Sequence, residues 1–231
     1  MYKAIIFDLD NTLLNYSLSE VDSMKRTCND HQLFIDDVMA WDVFWKDFSG
    51  YNFRYWMDYV NGGAITTMKD VLRCSFRDSL KLDESLHNKL SDTYWNYFCN
   101  TCYFEDGAEQ ILSILKDKYP LGIISNGLSE AQRKRLRAGN IDHVFTSLVI
   151  SDEVGVRKPH KEIFDCALND FRLNNNEVLF VGDSLQDDYQ GALNSGIDFC
   201  YYNRHNMMLP EGIKPKYNIS NLMDLIQVVG L

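Results

Sequence analysis

Residues 4–12 read AIIFDLDNT, a short apolar run that ends abruptly in two aspartates. Four consecutive apolar residues, from Ala4 to Phe7, are typical of a strand buried on both faces of a parallel sheet. Alternate side chains of a strand point the same way, so Asp8 and Asp10 can share one side of the chain as it leaves the sheet. Because ligands of open α/β sheets bind beyond the carboxyl ends of the strands, the stretch predicts a buried strand and part of a functional site.

Apolar runs of the same kind recur in the second half of the chain, with helical patterns between them. The runs cover residues 121–124, 144–150, 178–181 and 197–201. Helical spacing predicts helices near residues 108–115, 129–136, 161–168, 185–195 and 222–229. Ser129 and Gln132 supply the start signal of the second of these helices. Strands that alternate with helices predict the α/β class, with a doubly wound parallel sheet.

Residues 16–104 interrupt this alternation, since no clear buried strand occurs among them. The segment holds 18 of the chain's 30 Phe, Tyr and Trp residues and all four tryptophans. Gly62 and Gly63 mark a turn between helices. We therefore predict an all-helical cap domain over residues 16–104, inserted into a catalytic core formed by residues 1–15 and 105–231.

The composition disfavours several classes of partner. The 231 residues include 23 Lys and Arg against 33 Asp and Glu, a formal charge of −10. This balance disfavours a nucleic acid polymer, because phosphate contacts need clustered cations. No apolar run approaches the roughly 20 residues of a membrane span, so we expect no membrane partner. Six cysteines do not form a disulfide scaffold in a chain of this length, and we expect reduced thiols in a cytoplasmic monomer or homodimer.

Polar residues follow two further predicted strands and precede one predicted helix. Residues 121–124 continue into Ser125 and Asn126, and residues 178–181 continue into the stretch GDSLQDD at 182–188. Lys158 stands before Pro159 at the start of a helical pattern. The carboxylates that could meet in one cleft are Asp8, Asp10, Asp183 and either Asp187 or Asp188. Such carboxylates repel one another, so some stay protonated or a cation lies among them, and an all-oxygen site suits Mg²⁺.

Four segments in this order resemble the haloacid dehalogenase superfamily of phosphohydrolases. They are DLDNT at 8–12, SNG at 125–127, KP at 158–159 and GDSLQDD at 182–188. The helical insertion after the first segment matches the members that carry a helical cap. The stretches GIISNGLSE at 122–130 and VISDEVGVRKP at 149–159 are similar to the 5'-nucleotidase branch.

The resemblance implies a role for each matching residue. Asp8 would attack phosphorus and form an aspartyl-phosphate, and Asp10 would protonate the leaving oxygen and later accept a proton from water. Lys158 would neutralise Asp8 and the transferred group. The residues implied to hold the phosphate and its loop are Thr12, Ser125 and the backbone N–H of Asn126. The residues implied to hold Mg²⁺ are Asp8, the Asp10 backbone carbonyl and Asp183, with Asp188 acting through water and Asp187 left open.

The carboxylate at position 10 separates two reaction types within the superfamily. Dehalogenases lack it, since a halide leaves without a proton, so Asp10 favours phosphoryl transfer. The expected substrate is a small phosphorylated metabolite, with a nucleoside 5'-monophosphate as the first choice. The alternatives are a phosphotransferase or sugar-phosphate mutase, or a non-catalytic binding module on the same fold.

The aromatic residues of the predicted cap are compatible with two roles. Trp41, Phe44, Trp45 and Phe48 have helical spacing, which more often reflects a packed core than a ligand platform. A cap must still supply substrate contacts, and single aromatic side chains could stack on a nucleobase. The residues considered for this are Trp41, Trp45, Tyr51, Phe53, Tyr55 and Trp56.

Overall fold

The computed structural model describes residues 2–231 and divides into two compact units. The sheet unit comprises the chain up to Ser19 together with Asn100–Leu231. The helical unit comprises Glu20–Cys99. The predicted cap, residues 16–104, begins four residues before this helical unit and ends five residues after it.

Within residues 2–231 the chain forms six strands and ten α-helices. The strands are β1 (Ala4–Phe7), β2 (Leu121–Ser125), β3 (Ser147–Ile150), β4 (Val178–Gly182), β5 (Asp198–Tyr202) and β6 (Tyr217–Ile219). The helices are α1 (Tyr16–Asp30), α2 (Val38–Val60), α3 (Met68–Ser79), α4 (Glu84–Cys99), α5 (Ala108–Leu115), α6 (Ser129–Ala138), α7 (Ser151–Val154), α8 (Lys161–Phe171), α9 (Gln190–Ser195) and α10 (Leu225–Val229). Short 3₁₀ turns cover Asp142–Val144, Asn175–Glu177 and Leu222–Asp224, and a π-helical turn covers Leu185–Tyr189.

All six strands form one parallel sheet in the order β3-β2-β1-β4-β5-β6. The first strand is therefore central, and the register places Phe7 beside Ile123 on one side and Val181 on the other. This alignment brings the carboxyl ends of β1, β2 and β4 to the same edge of the sheet. The predicted doubly wound α/β fold is confirmed, although the edge strand β6 was not predicted.

The sheet is covered on both faces, and the residues of β1 alternate between the two layers. Ile5 and Phe7 belong to a fully buried cluster with apolar residues of α5, and Ala4 and Ile6 belong to a second cluster with residues of α8. The period of two along the strand produces this division. A strand buried on both faces explains why an uninterrupted apolar run, rather than alternation, marked it in the sequence.

The helical unit has an aromatic core of its own. The rings of Phe44 and Phe48 on α2 pack against Phe76 on α3, and Phe48 and Phe76 contact Tyr94 on α4, with ring centroids 4.8–6.4 Å apart. The half-buried Trp41 and Trp45 stack on each other at 5.7 Å. Phe44 and Phe48 are therefore core residues. A role of Trp41 and Trp45 in stacking on a nucleobase stays a prediction.

None of the helices within residues 2–231 combines the length and apolar character needed to cross a bilayer.

Candidate active site

The chain leaves β1 through a tight loop that brings Asp8 and Asp10 to the sheet edge. The N–H of Asp8 still donates to Val181 O at 2.8 Å, so this residue is held in the register of the sheet. The Leu9 carbonyl then accepts from the N–H groups of Leu13 and Leu14. Asn11 has a φ of +62°, in the left-handed region that Gly and Asn adopt most readily. This conformation gives position 11 a backbone reason for carrying Asn.

Lys158 joins two of the predicted acidic residues. Its Nζ donates to Asp8 Oδ1 at 2.5 Å, to Asp188 Oδ1 at 2.7 Å and to the Ile124 carbonyl at 3.0 Å. The three donors of the ammonium group are thus all used, and all three charged side chains are buried. Burial alone would lower the pKa of Lys158, but the charges of Asp188 and Asp8 outweigh it and raise that pKa above its ordinary value.

Asp8, Asp183 and Asp188 form a cluster in which one carboxylate oxygen of each lies within 4.8 Å of the others. Burial raises the pKa of Asp8 well above its ordinary value, with Lys158 opposing the shift and Asp188 adding to it. Burial, reinforced by the charge of Asp188, raises the pKa of Asp183 to about 7. One lysine therefore does not compensate three carboxylates. The oxygen donors, their spacing and the excess negative charge fit a hard divalent cation such as Mg²⁺.

The structure separates Asp187 from Asp188. Asp188 is fully buried, pairs with Lys158 and accepts a hydrogen bond from the Ser184 N–H at 2.9 Å. Asp187 is half-buried and lines the cleft, and its N–H donates to Ser184 Oγ at 3.1 Å. A π-helical turn, rather than a regular helix, carries both residues. It is Asp188 that joins the carboxylate cluster of Asp8 and Asp183.

The side chain of Asp10 lies outside that cluster. Arg135 Nη1 donates to Asp10 Oδ1 at 2.5 Å, and Gln132 Nε2 donates to Asp10 Oδ2 at 2.6 Å. Both partners come from α6, and the Arg135 side chain is completely buried. Burial alone would lower the pKa of Arg135, but Asp10 outweighs it and raises that pKa. The Asp10 carboxylate is therefore held by a cation and an amide rather than by the other acids.

Gln132 and Arg135 are hydrogen-bond partners of Asp10 that were not predicted from the sequence. Ser129 does begin α6, but the N-cap residue Leu128 makes no side-chain cap hydrogen bond, so the interpretation of Gln132 as a start signal was wrong. Both side chains are buried, one helical turn apart. Polar residues on the same face as the buried Leu136 were the available signal, because a buried polar side chain requires a partner.

Ser125 and Asn126 occupy the end of β2. Ser125 Oγ accepts from Gln132 Nε2 at 2.8 Å. The Asn126 amide binds the backbone of Lys158, which precedes a cis peptide bond to Pro159. Thr12 is fully buried, yet its hydroxyl finds no hydrogen-bond partner among residues 2–231. No hydrogen bond of that hydroxyl therefore supports the loop-holding role expected for Thr12.

These residues line one cleft of about 430 Å³ at the sheet edge. Its lining consists of Asp8, Asp10, Asn11, Ser125, Asn126, Lys158, Asp183, Ser184, Asp187 and Asp188. Of the predicted site residues, all except Thr12 face this space. The cleft combines acidic side chains, the buried ammonium group of Lys158, and hydroxyl and amide donors. Such groups can bind and transfer an anionic group.

Comparison with known proteins places the chain among hydrolases. The model of the haloacid dehalogenase-like hydrolase family matches residues 45–202. The pyrimidine 5'-nucleotidase YjjG of Escherichia coli K12 is 33% identical over 227 residues, which are 97% of this chain and 96% of YjjG. The (S)-2-haloacid dehalogenase of Pseudomonas putida is 26% identical over 229 residues, 96% of this chain and 94% of its own length.

Among solved structures, that of the HAD-hydrolase YfnB of Bacillus subtilis bound to magnesium has a TM-score of 0.81 and 24% identity, covering 100% of this chain and 99% of YfnB. The fold, the order of the four segments and these similarities agree, and the chain belongs to the haloacid dehalogenase-like hydrolase family.

Proposed function

We propose that the protein is a Mg²⁺-dependent phosphatase that hydrolyses a small phosphate monoester through a phosphoryl group carried on Asp8. One observation carries this proposal: Lys158 lies between Asp8 and Asp188, beside Asp183, at the end of the central strand. A carboxylate held by a buried cation within an acidic cluster is suited to attack an anionic phosphorus centre only if further positive charge offsets the repulsion.

The proposed reaction has two balanced steps. An Asp8 oxygen attacks phosphorus, the bond between phosphorus and the ester oxygen breaks, and Asp10 donates its proton to the departing oxygen. A water molecule then attacks the same phosphorus and gives a proton to Asp10, the bond to Asp8 breaks, and phosphate leaves. Each turn of the cycle restores both carboxyl groups, as general acid and base catalysis requires.

Other residues of the cleft would hold the phosphoryl group. Ser125 Oγ and the Asn126 backbone N–H would bind its oxygens, and Lys158 would offset its charge. At about 4 Å and an effective dielectric near 20, one such charge contact contributes ~4 kcal/mol before desolvation. The side chains of Asp8 and Asp183 and the Asp10 carbonyl would hold Mg²⁺, with Asp188 acting through water. When bound, the ion supplies positive charge to the phosphoryl oxygens.

Asp10 favours a phosphatase over a dehalogenase, although a dehalogenase is among the relatives. A halide leaves without a proton, whereas the alkoxide of a phosphate ester needs one. Two donors from α6 hold the Asp10 side chain in position at the cleft.

The substrate class we propose is a nucleoside 5'-monophosphate, in a cytoplasmic enzyme. The support is the resemblance of residues 122–130 and 149–159 to the nucleotidase branch and the similarity to YjjG. The reduced thiols expected from the cysteine usage support the location.

A panel of phosphate esters tests the proposal. Pyrimidine and purine 5'-monophosphates, sugar phosphates and p-nitrophenyl phosphate are incubated with the protein, with Mg²⁺ or with EDTA. We expect Mg²⁺-dependent phosphate release, fastest from a nucleoside 5'-monophosphate. Turnover should be lost with every ester in Asp8→Asn, and with the alkyl esters in Asp10→Asn. Mass spectrometry of acid-quenched samples should detect phosphorylated Asp8 in the wild type and none in Asp8→Asn. Turnover by Asp8→Asn at the wild-type rate would exclude the mechanism.

A further inference from the structure

We propose that Gln132 is a positioning residue that fixes Asp10 and Ser125 relative to each other. The inference rests on the proposed function, since it assigns Gln132 a part in presenting the proton donor to a phosphate held by Ser125. Gln132 lies on α6, away from the four segments that characterise the family in the sequence.

Every polar atom of the Gln132 side chain is engaged. Nε2 donates to Asp10 Oδ2 at 2.6 Å and to Ser125 Oγ at 2.8 Å, and Oε1 accepts from Arg135 Nη1 at 3.1 Å. An amide has two N–H donors at one end and a carbonyl acceptor at the other. Because Arg135 has only donors, it fixes the carbonyl end toward itself and the NH₂ end toward Asp10 and Ser125. The side chain is buried, so water does not compete for these contacts.

The hydrogen bond from Gln132 determines which way the Ser125 hydroxyl acts. Since Ser125 Oγ accepts from Gln132, its own O–H is available to donate in another direction. Ser125 and Asp10 both line the cleft, where an oxygen of a bound phosphate would accept that proton. Gln132 thus links the group that binds phosphate to the group that transfers a proton.

Gly127 provides an independent reason to regard this placement as built into the fold. A Cβ at position 127 would lie 2.3 Å from Gln132 Nε2 and 2.7 Å from its Cγ. The backbone at Gly127 does not have a positive φ, so glycine is favoured there by the space that the Gln132 amide occupies and not by backbone conformation. The glycine of the SNG segment leaves room for the Gln132 amide.

The test compares two kinds of phosphate ester by kcat/KM, which reports the steps up to phosphoryl transfer. p-Nitrophenolate leaves readily without a proton, whereas an alkoxide depends on Asp10. The alkyl substrate is the ester of the panel above that the wild type hydrolyses fastest. In Gln132→Met, which keeps the chain length but has no N–H donor, we expect the alkyl-to-aryl ratio of kcat/KM to fall about 10- to 100-fold. Gly127→Ala, which displaces the amide, should lower the same ratio.

Arg137→Ala is the matched control, because Arg137 lies on the same helix with its side chain largely exposed, and its ratio should equal that of the wild type. A merely structural role would lower both substrates equally, so an unchanged ratio in Gln132→Met, beside a lowered ratio in Asp10→Asn, overturns the Gln132 assignment alone. An unchanged ratio in Asp10→Asn, or no hydrolysis of any alkyl ester by the wild type, overturns the proposed function and this inference with it.

Discussion

Asn126 binds the backbone of Lys158 through both ends of its amide. Oδ1 accepts from the Lys158 N–H at 2.7 Å, and Nδ2 donates to the Lys158 carbonyl at 3.0 Å. The end of β2 therefore sets the position of the loop that carries the buried ammonium group. Asn126, next to the predicted phosphate-binding Ser125, therefore contributes to the site through its side chain, and the role expected of its backbone N–H stays a prediction.

Replacing Asn126 by alanine should displace Lys158 without removing its charge. We expect kcat to fall about 100-fold, because a displacement of about 1 Å has that effect in an aligned site. Two hydrogen bonds are lost, and the free energy of unfolding should fall by about 1–3 kcal/mol. Steady-state kinetics and urea unfolding measure the two effects.

Asn194→Ala is a suitable control for Asn126→Ala, since Asn194 also donates to a loop carbonyl, that of Pro159, from an exposed position. It should retain the wild-type kcat. If Asn126→Ala also keeps the wild-type kcat, the positioning of Lys158 by Asn126 is not needed for turnover.

Lys158 and Asp188 should show strong energetic coupling. Lys158→Met leaves Asp8 and Asp188 buried without the ammonium group, and breaking such a pair costs about 3–5 kcal/mol of stability. Adding Asp188→Asn removes one of the two buried carboxylates that Lys158→Met leaves without a cation. The double variant should therefore be more stable than Lys158→Met. A double-mutant cycle from urea unfolding in EDTA gives the coupling energy. Additive effects of the two substitutions would contradict the bridging role of Lys158.

Comparison of sequence and structure shows which parts of the molecule local patterns specify. Strands β1, β2 and β4 were predicted because burial on both faces requires uninterrupted apolar runs. Strand β6 was not predicted because it has only three residues, which is too short a stretch for a recognisable strand pattern. The acidic residues and Lys158 were found by the order of their segments.

The contacts of Gln132 and Arg135 with Asp10 join residues more than 120 positions apart, and no local pattern determines such pairs. The sequence left the role of Asp187 open, and the structure places Asp188 in the buried acidic cluster and leaves Asp187 half-buried in the cleft lining. The side-chain contact of Asn126 with Lys158 depends likewise on how two loops meet.

The affinity for Mg²⁺ should depend on pH through Asp183. Without a cation, burial and the charge of Asp188 raise the pKa of Asp183 to about 7, so the ion must displace a proton below that pH. We expect the affinity to increase as the pH rises toward 7, with the proton on Asp183 contributing up to about tenfold per pH unit. Isothermal titration calorimetry between pH 5 and 8.5 measures this dependence, and a flat profile would contradict it.

The free energy of unfolding of the metal-free protein should fall as the pH rises, whereas the affinity for Mg²⁺ rises. Between the ordinary pKa of 3.8 and about 7, folded Asp183 keeps a proton that the unfolded chain has released. The folded state therefore loses stability as the pH rises through this range, and the raised pKa of Asp8 acts in the same direction. Asp183→Asn carries no charge, so thermal unfolding in EDTA should show a weaker loss with pH than the wild type.

Gly182 at the end of β4 should be intolerant of a side chain. A Cβ there would lie 2.3 Å from Asp188 Oδ2 and 2.9 Å from Asp188 Cβ, and the latter atom cannot rotate away. Gly182→Ala must therefore shift Asp188, and with it the ammonium group of Lys158. We expect a loss of about 1–3 kcal/mol in stability from overpacking and a fall of about 100-fold in kcat.

Gly50→Ala separates this effect from the general consequence of replacing a glycine. Gly50 lies within α2, where an added Cβ would meet no atom within 4 Å and φ is negative. The alanine should raise the stability by about 0.5–1 kcal/mol, because glycine is unfavourable inside a helix, and should leave kcat unchanged. Wild-type kcat in Gly182→Ala would show that the contact between β4 and Asp188 does not set the geometry of the acidic cluster.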